Sequence, residues 1–177
     1  AIARRLPRRV RAAVGSAMRR LASLTLRAGA LACGGSQSAG VDAPAVVAGA
    51  DTTVTAFSGE HVYFGDPNRR TVDAPVTFPA PGLRYSAVTL YLGLRCPTGG
   101  CDWWDRLGRL ALVVPADGAT PERELELARF ITPYRVGGEF TVDVTDLQRL
   151  LEGPQTLRVF IDTWVGPGHA NGAGWLV

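Results

Sequence analysis

The amino-acid sequence predicts an all-β fold, an antiparallel sandwich or jelly roll. From residue 51 onward, short stretches of β-branched, aromatic and leucine residues are separated by Gly, Pro, Asn and Asp, which is typical of strands joined by turns. One stretch alternates strictly between aliphatic and other residues, as a half-buried strand does. After residue 51, helical periodicity is confined to residues 146–152. The 177 residues suffice for one domain core with appendages.

Seven stretches are predicted to be strands, namely residues 54–57, 72–78, 86–94, 109–114, 124–131, 139–144 and 157–164. In the third of them, Val88, Leu90, Leu92 and Leu94 share one side of the strand, so we expect these four side chains in the core.

The last predicted strand alternates in the same way. Leu157, Val159 and Ile161 share one side, so we expect Asp162 on the face opposite the core. A helical turn is predicted before this strand, at residues 146–152. Thr145 is placed to cap this turn, and Gly153 follows the turn at its other end. The leucines of the turn form one apolar stripe.

Residues 1–32 are predicted to be a basic leader. Eight of the 19 arginines lie there, with no acidic residue. Met18 precedes two arginines and a short apolar stretch that ends in small residues, which is the order of an export signal. Leu31 and Ala32 before Cys33 resemble a bacterial lipobox, so we expect lipidation of Cys33 in an outer-membrane or cell-surface lipoprotein, or else a secreted protein. The alternative is a basic amphipathic helix.

Residues 33–50 are small and polar, which predicts a flexible tether, and residues 51–177 are predicted to fold. We expect the leader to pack against nothing. The chain after the leader holds all 16 carboxylates against 11 arginines, so the basic cluster lies outside the folded part and nucleic-acid binding is not expected. The chain contains no lysine, which excludes lysine catalysis.

The densest chemistry lies in residues 96–106, CPTGGCDWWDR. A zinc site is not expected, because it needs four ligands and Cys96 and Cys101 have only Cys33 and two distant histidines to join them. In an exported protein, a disulfide between these cysteines is favoured, since the proline and glycines between them supply turn geometry. We predict this disulfide, with Cys33 outside it.

Asp105 and Arg106 in this segment follow two adjacent tryptophans, Trp103 and Trp104. Indole rings stack on the apolar faces of sugars, a neighbouring carboxylate can act as a general base, and an arginine can orient a ligand oxygen. The alternative is that one tryptophan packs in the core while Asp105 and Arg106 form a surface ion pair. Residue chemistry alone leaves both interpretations open.

Asp162 and Trp164 form a second group of this kind, at the end of the last predicted strand. Two pairs of carboxylate and tryptophan are typical of a carbohydrate site. Taken singly, each pair also fits an edge tryptophan that covers the end of a sandwich core.

Four segments, in order and with matching spacing, resemble the peptide-N-glycosidase F family of bacterial amidases, which release N-linked glycans from asparagine. They are CPTGGCDWWDR at residues 96–106, RFITPYRVGG at 129–138, DVTDLQRLL at 143–151 and DTW at 162–164. The resemblance extends from about residue 54 to the C-terminus. It implies an eight-stranded antiparallel jelly roll, the first of the two rolls in the family.

The resemblance also implies a role for each site residue. Asp105 matches the family's principal catalytic aspartate, which activates the water that attacks the amide carbonyl. Arg106 matches an arginine that contacts the core N-acetylglucosamine, and Trp104 and Trp164 match tryptophans that line the same cleft. Asp162 stands where the family has a functional glutamate, so it is a second catalytic candidate with a carboxylate about one methylene shorter.

The family site lies between two jelly rolls, and the resemblance implies that Cys96 and Cys101 form its disulfide. We expect this chain to stop at the last strand of the first roll, without the second roll. The predicted function is therefore the N-terminal half of an exported amidase acting on N-linked glycoproteins or glycopeptides, without a cofactor and inactive by itself.

The alternative is a non-catalytic jelly-roll module that binds glycans or proteins. Copper-dependent peptidyl monooxygenases also use paired jelly rolls, but copper needs clustered histidine or methionine, which the chain after the leader does not offer.

Overall fold

The computed structural model describes residues 22–27 and 47–177, the first segment by its backbone alone. Within these residues there are twelve strands: β1 (Ala22–Arg27), β2 (Val47–Ala48), β3 (Thr52–Phe57), β4 (His61–Val62), β5 (Thr71–Thr77), β6 (Leu83–Arg84), β7 (Ala87–Leu94), β8 (Leu107–Val114), β9 (Arg123–Ile131), β10 (Gly138–Asp143), β11 (Pro154–Ile161) and β12 (Trp175–Leu176). They confirm the predicted all-β fold.

The strands form two four-stranded antiparallel sheets. The first has the order β10-β7-β1-β3 and the second the order β5-β11-β8-β9. Four further strands form two short pairs, β12 with β4 and β2 with β6. The predicted count of eight strands is therefore not confirmed, although the sandwich is.

The expectation that the leader packs against nothing is wrong for residues 22–27. The backbone of β1 pairs with β3 on one side and with β7 on the other, so it is an inner strand of the first sheet. The apolar stretch interpreted as an export signal also contains Ser23-Leu24-Thr25-Leu26, whose period of two is typical of a strand. Nothing is described of the other leader residues.

Alternation along the strands builds the core, as predicted. On β7, Val88, Leu90, Leu92 and Leu94 are all buried, with at most 4% of each residue exposed. In the second sheet, Leu157, Val159 and Ile161 of β11 belong to the same apolar cluster. Burial of these faces against each other is the main stabilising contribution in a sandwich, at roughly 25 cal/mol per Å² of apolar surface.

Two local predictions need correction. β11 runs from Pro154 to Ile161 and ends before Asp162, so the last predicted strand begins and ends three residues too late. The helical turn is a 3₁₀ turn at Thr145–Leu150, and Thr145 lies inside it instead of capping it. The Thr145 hydroxyl accepts a 2.9 Å hydrogen bond from the Val88 amide, which ties the turn to β7. No helix among the described residues is long and apolar enough to cross a membrane.

The outer face of the second sheet carries ion pairs that cross its strands. Arg158 on β11 holds Asp73 on β5 with two hydrogen bonds, of 2.6 and 2.7 Å. The same guanidinium also binds Glu122 and Glu124. Planar contacts of this kind are the favourable geometry for an arginine and a carboxylate. They tie the edge strand β5 to the centre of the sheet.

We expect this network to make stability depend on pH. The hydrogen bonds from Arg158 lower the pKa of Asp73 below its ordinary value. A carboxylate whose folded pKa is lowered stabilises the fold above its unfolded pKa, about 3.9, and loses that contribution as pH falls. Asp73→Asn should therefore flatten the decline in urea midpoint between about pH 5 and pH 2.

Arg158→Met provides the comparison for this prediction. Because Arg158 also binds Glu122 and Glu124, its loss at pH 7 should cost more stability than Asp73→Asn. An Asp73→Asn variant whose urea midpoint declines as steeply as that of the unaltered protein would contradict the assignment.

Candidate active site

The predicted site segments meet at one end of the sandwich. β7 of the first sheet ends at Leu94 and β8 of the second begins at Leu107, so residues 96–106 cross between the sheets there. The backbone amide of Asp162 donates a 2.9 Å hydrogen bond to the Leu107 carbonyl. This bond brings the segment after β11 beside the segment that carries Asp105.

The predicted disulfide between Cys96 and Cys101 is present. Inside its ring, Gly99 and Gly100 have φ angles of 99° and 89°, which glycine adopts at little cost. The Gly100 amide donates a 3.0 Å hydrogen bond to the carbonyl of Pro97 and closes the turn. Cys33, the predicted lipidation site, lies outside the described residues.

Asp102, directly after the ring, is fully buried and organises the site. Its Oδ2 accepts hydrogen bonds from Arg106 Nε at 2.8 Å and from Thr163 Oγ1 at 2.7 Å. Its Oδ1 accepts from the Trp104 amide at 3.0 Å and from Arg106 Nη2 at 3.4 Å. A buried carboxylate needs such partners, because removing a charge from water costs several kcal/mol per ion.

Arg106 is bound to Asp102 and not to Asp105, so the alternative of a surface ion pair between Asp105 and Arg106 is wrong. Its backbone is also fixed, since its amide donates to Thr132 Oγ1 at 2.8 Å and its carbonyl accepts from the Thr132 amide at 2.8 Å. Thr132 belongs to the RFITPYRVGG segment, which the structure thus places against the same site.

Asp105 is exposed, and within the described part of the chain its carboxylate has no hydrogen-bond or ion-pair partner. Its neighbour Arg106 has one edge of its guanidinium occupied by Asp102. The arrangement leaves a carboxylate free to accept a proton, beside a cation whose orientation is fixed.

Neither tryptophan of the segment packs in the core, so that alternative is wrong too. Trp104 is 49% exposed. Its ring makes an edge-to-face contact with the ring of Tyr134, with the two ring centroids 5.9 Å apart. The guanidinium of Arg135 lies 3.9 Å from the ring centroid of Trp103. The tryptophan in the core is instead Trp175.

Asp162 and Trp164 belong to a cluster that the sequence analysis did not assemble. Arg70 Nη1 donates to Asp162 Oδ1 at 3.1 Å. The Arg70 guanidinium also lies 4.8 Å from the ring centroid of Trp164 and 5.2 Å from that of Phe64. Trp164 remains 52% exposed, so this cluster presents an indole, a carboxylate and a cation at the surface.

The sequence analysis missed Asp102, Arg70 and Phe64. Asp102 stands in the CPTGGCDWWDR segment, and its position directly after a cysteine of the predicted disulfide is the signal that could have drawn attention to it. Arg70 and Phe64 offered no such signal, because they precede Asp162 by more than 90 residues. Among the described residues, no three His, Cys, Asp or Glu side chains gather as a metal site requires.

Comparisons with known proteins give one consistent result. Residues 115–173 match the family "Peptide-N-glycosidase F, N terminal". The chain is 33% identical over 160 residues to the peptide-N(4)-(N-acetyl-β-D-glucosaminyl)asparagine amidase F of Elizabethkingia miricola, which covers 83% of this chain and 44% of that protein.

Solved structures agree with this match. A crystal structure of a peptide-N(4)-(N-acetyl-β-D-glucosaminyl)asparagine amidase is similar with a TM-score of 0.57 and 29% identity, covering 70% of this chain and 38% of that one. The structure of PNGase F, a glycosylasparaginase from Flavobacterium meningosepticum, is similar with a TM-score of 0.56, the same identity and the same coverage. The chain thus spans less than half the length of the relatives it matches.

Proposed function

We propose, from the premise that this chain is a homologue of the N-terminal domain of peptide-N-glycosidase F, that it is the half of a glycoasparagine amidase that carries the general base. Its substrate would be an N-linked glycoprotein or glycopeptide. The bond broken would be the amide between the asparagine side chain and the first N-acetylglucosamine. The jelly-roll sandwich that the structure shares with these relatives supplies the scaffold.

The observation that carries the proposal is the environment of Asp105. Its carboxylate is exposed and unpartnered within the described residues, while Arg106 beside it is held by the buried Asp102. A general base must be able to reach the proton of a bound water, and an unpaired carboxylate at the surface of a site meets that requirement.

The chemistry follows from these groups. Asp105 would take a proton from water as the water oxygen attacks the amide carbonyl carbon. The carbon–nitrogen bond then breaks, the glycosylamine leaves with a proton, and asparagine becomes aspartate. Arg106 would bind a sugar oxygen with its remaining donors, since five N–H groups are available and Asp102 uses two.

Trp104 and Trp164 would supply exposed indole surface for the sugar, since the two residues are 49% and 52% exposed. Asp162 would act as the second carboxylate, an acceptor for a sugar hydroxyl or amide. Its Oδ1 is already bound to Arg70, whereas the Asp105 carboxylate has no partner among the described residues.

We expect the 177-residue chain to bind N,N′-diacetylchitobiose without hydrolysing glycopeptides. The negative charge that develops on the carbonyl oxygen needs several donors, and one missing donor costs about 10²–10³ in kcat. Arg106 alone would leave turnover lower by several powers of ten. Hydrolysis by this chain at a rate like that of its relatives, abolished by Asp105→Asn, would contradict this expectation.

A fusion to the part of a peptide-N-glycosidase F that lies beyond the matched region tests the amidase directly. We expect this fusion to convert glycosylated asparagine to aspartate, detected by mass spectrometry. Asp105→Asn should lower turnover by at least about 10²-fold, the effect of losing a general base. Asp117→Asn, in an exposed loop, is the matched control and should leave turnover unchanged.

The second candidate function is a non-catalytic module that binds glycans, favoured by the aspartate at position 162 where the family has a glutamate. A fusion that binds chitobiose but converts no asparagine would favour this module. A fusion that binds no sugar at all would contradict both candidates.

We also propose that the protein is exported. The Cys96–Cys101 disulfide supports this, because such bonds persist mainly in oxidising compartments. The finer proposal of a lipid anchor at Cys33 requires cleavage just before that residue. N-terminal sequencing of the mature protein from its native cells tests it.

A further inference from the structure

We infer that Asp102 and Thr163 are positioning residues that couple the two halves of the candidate sugar site. One half consists of residues 102–106 with Arg106, and the other of residues 162–164 with Trp164. The inference rests on the proposed function for its ligand, but the link itself is a feature of the described structure. Neither residue is among those to which the sequence analysis assigned a role.

Both side chains are fully buried, with 0% of each residue exposed, so neither can touch a ligand directly. The 2.7 Å hydrogen bond from Thr163 Oγ1 to Asp102 Oδ2 joins residues that are 61 positions apart in the chain. Bonds to a charged acceptor are shorter and about twice as strong as neutral ones. Any effect of these residues on a sugar must therefore pass through their neighbours.

On one side of the link, Asp102 determines the orientation of Arg106. Oδ2 and Oδ1 bind Nε and Nη2, so one edge of the guanidinium is held at two points. The Arg106 side chain is 20% exposed, which leaves part of it accessible to a ligand. A rotation of the Asp102 carboxylate would rotate this guanidinium with it.

On the other side, Thr163 fixes the chain just beyond the last sheet pair. β11 ends at Ile161, so the ladder no longer restrains residues 163 and 164. The Thr163 hydroxyl restrains this segment by binding Asp102, and the Val165 carbonyl accepts a 2.9 Å hydrogen bond from the Phe64 amide. Asp162 and Trp164, the two residues next to Thr163, are both in contact with Arg70, so a shift of Thr163 would disturb that whole cluster.

Both halves therefore share a single carboxylate oxygen, Oδ2 of Asp102. Loss of the Thr163 hydroxyl leaves the carboxylate with one donor fewer and removes one restraint on the chain that carries Trp164. Residues that share a hydrogen-bond network show non-additive effects when both are changed. We expect such non-additivity between Thr163 and Arg106, although the Thr163 hydroxyl makes no bond to the Arg106 side chain.

The test uses the full 177-residue chain. Thr163→Val removes the hydroxyl at nearly constant volume, and Thr163→Ser keeps it. Thr77→Val, at an exposed threonine of β5 where it pairs with the far end of β11, is the surface control. Asp102→Asn alters the same link from its other partner, because it replaces one of the two acceptor oxygens with a donor and removes the charge, and it serves should Thr163→Val fail to fold.

The first readout needs no ligand. In ¹H–¹⁵N NMR spectra, Thr163→Val should move both the Arg106 Nε–H signal and the Trp164 indole N–H signal. Thr163→Ser should return both towards their original positions, and Thr77→Val should move neither. An Arg106 signal that stays in place in Thr163→Val and in Asp102→Asn would overturn the inference, whatever the protein binds.

The second readout is affinity for N,N′-diacetylchitobiose by titration calorimetry. Thr163→Val should weaken binding about tenfold, the effect of one hydrogen bond to a charged group, and Thr163→Ser should recover most of it. Combined with Arg106→Lys, Thr163→Val should weaken binding by less than the product of the two single effects.

The two readouts separate the possible failures. Coupled NMR shifts in a protein that binds no chitobiose would support the link and contradict the proposed function. Chitobiose binding that is unaffected by Thr163→Val, or affected additively with Arg106→Lys, would support the function and overturn the link.

Discussion

Trp175→Ala should lower the free energy of unfolding by about 3–5 kcal/mol, the usual cost of truncating a fully buried aromatic residue. Trp175 is 0% exposed and belongs to the core cluster. Its strand β12 pairs with β4, and Leu176 next to it exchanges two 2.8 Å backbone hydrogen bonds with Arg95. Urea unfolding followed by far-UV circular dichroism measures the loss.

Trp164→Ala is the matched control for this prediction. Trp164 is 52% exposed, so its removal should cost about 1 kcal/mol, chiefly from its contact with Arg70. The control should instead lose chitobiose affinity. If both variants lost the same stability, the placement of Trp175 in the core would be wrong.

Gly172→Ala should destabilise the protein by about 2–5 kcal/mol. Gly172 has a φ angle of 109°, a region that costs an alanine roughly 1–2 kcal/mol. A Cβ atom there would also overlap the backbone carbonyl oxygen of Cys101, and relieving such a clash costs about 1–3 kcal/mol. The carbonyl of the preceding residue, Asn171, accepts a hydrogen bond from the Trp103 amide. Because a shift at Gly172 would disturb this bond, hydrogen exchange at the Trp103 amide should accelerate as well.

Gly168→Ala, in the same loop, separates the two causes. Gly168 has a similar φ of 82°, but a Cβ atom there would meet nothing within 4 Å. Its substitution should cost only the backbone contribution of about 1–2 kcal/mol and leave exchange at Trp103 unchanged. Equal losses in the two variants would contradict the close approach of Gly172 to Cys101.

Local patterns predicted the strands well because burial on one face imposes its period on the sequence. The alternation of Val88 to Leu94 on β7 is the clearest instance. The exit from β11 was harder, since Asp162 continues the alternation while its amide bonds to Leu107 outside the strand. Thr145 likewise has a side chain of the kind that caps helices, but its hydroxyl accepts a hydrogen bond from the Val88 amide of β7 instead.

The site was predicted in its members but not in its connections. The nearness of Asp102, Asp105 and Arg106 in the sequence does not show which carboxylate is buried with the arginine, because that depends on Thr163 in the segment after β11. Arg70 was out of reach for the same reason. Its contacts with Asp162 and Trp164 arise from the pairing of β5 with β11, which no short segment encodes.

Residues 22–27 have two incompatible assignments, as part of a cleaved export signal and as the inner strand β1 of the first sheet. A signal peptidase acting before Cys33 would discard residues 22–27, and with them the strand between β3 and β7. Without β1, the edges of β3 and β7 that face each other would lack backbone hydrogen-bond partners. Unpaired strand edges of this kind recruit other chains. Cleavage before Cys33 and retention of this inner strand therefore exclude one another. The N-terminus of the mature protein shows which of the two occurs.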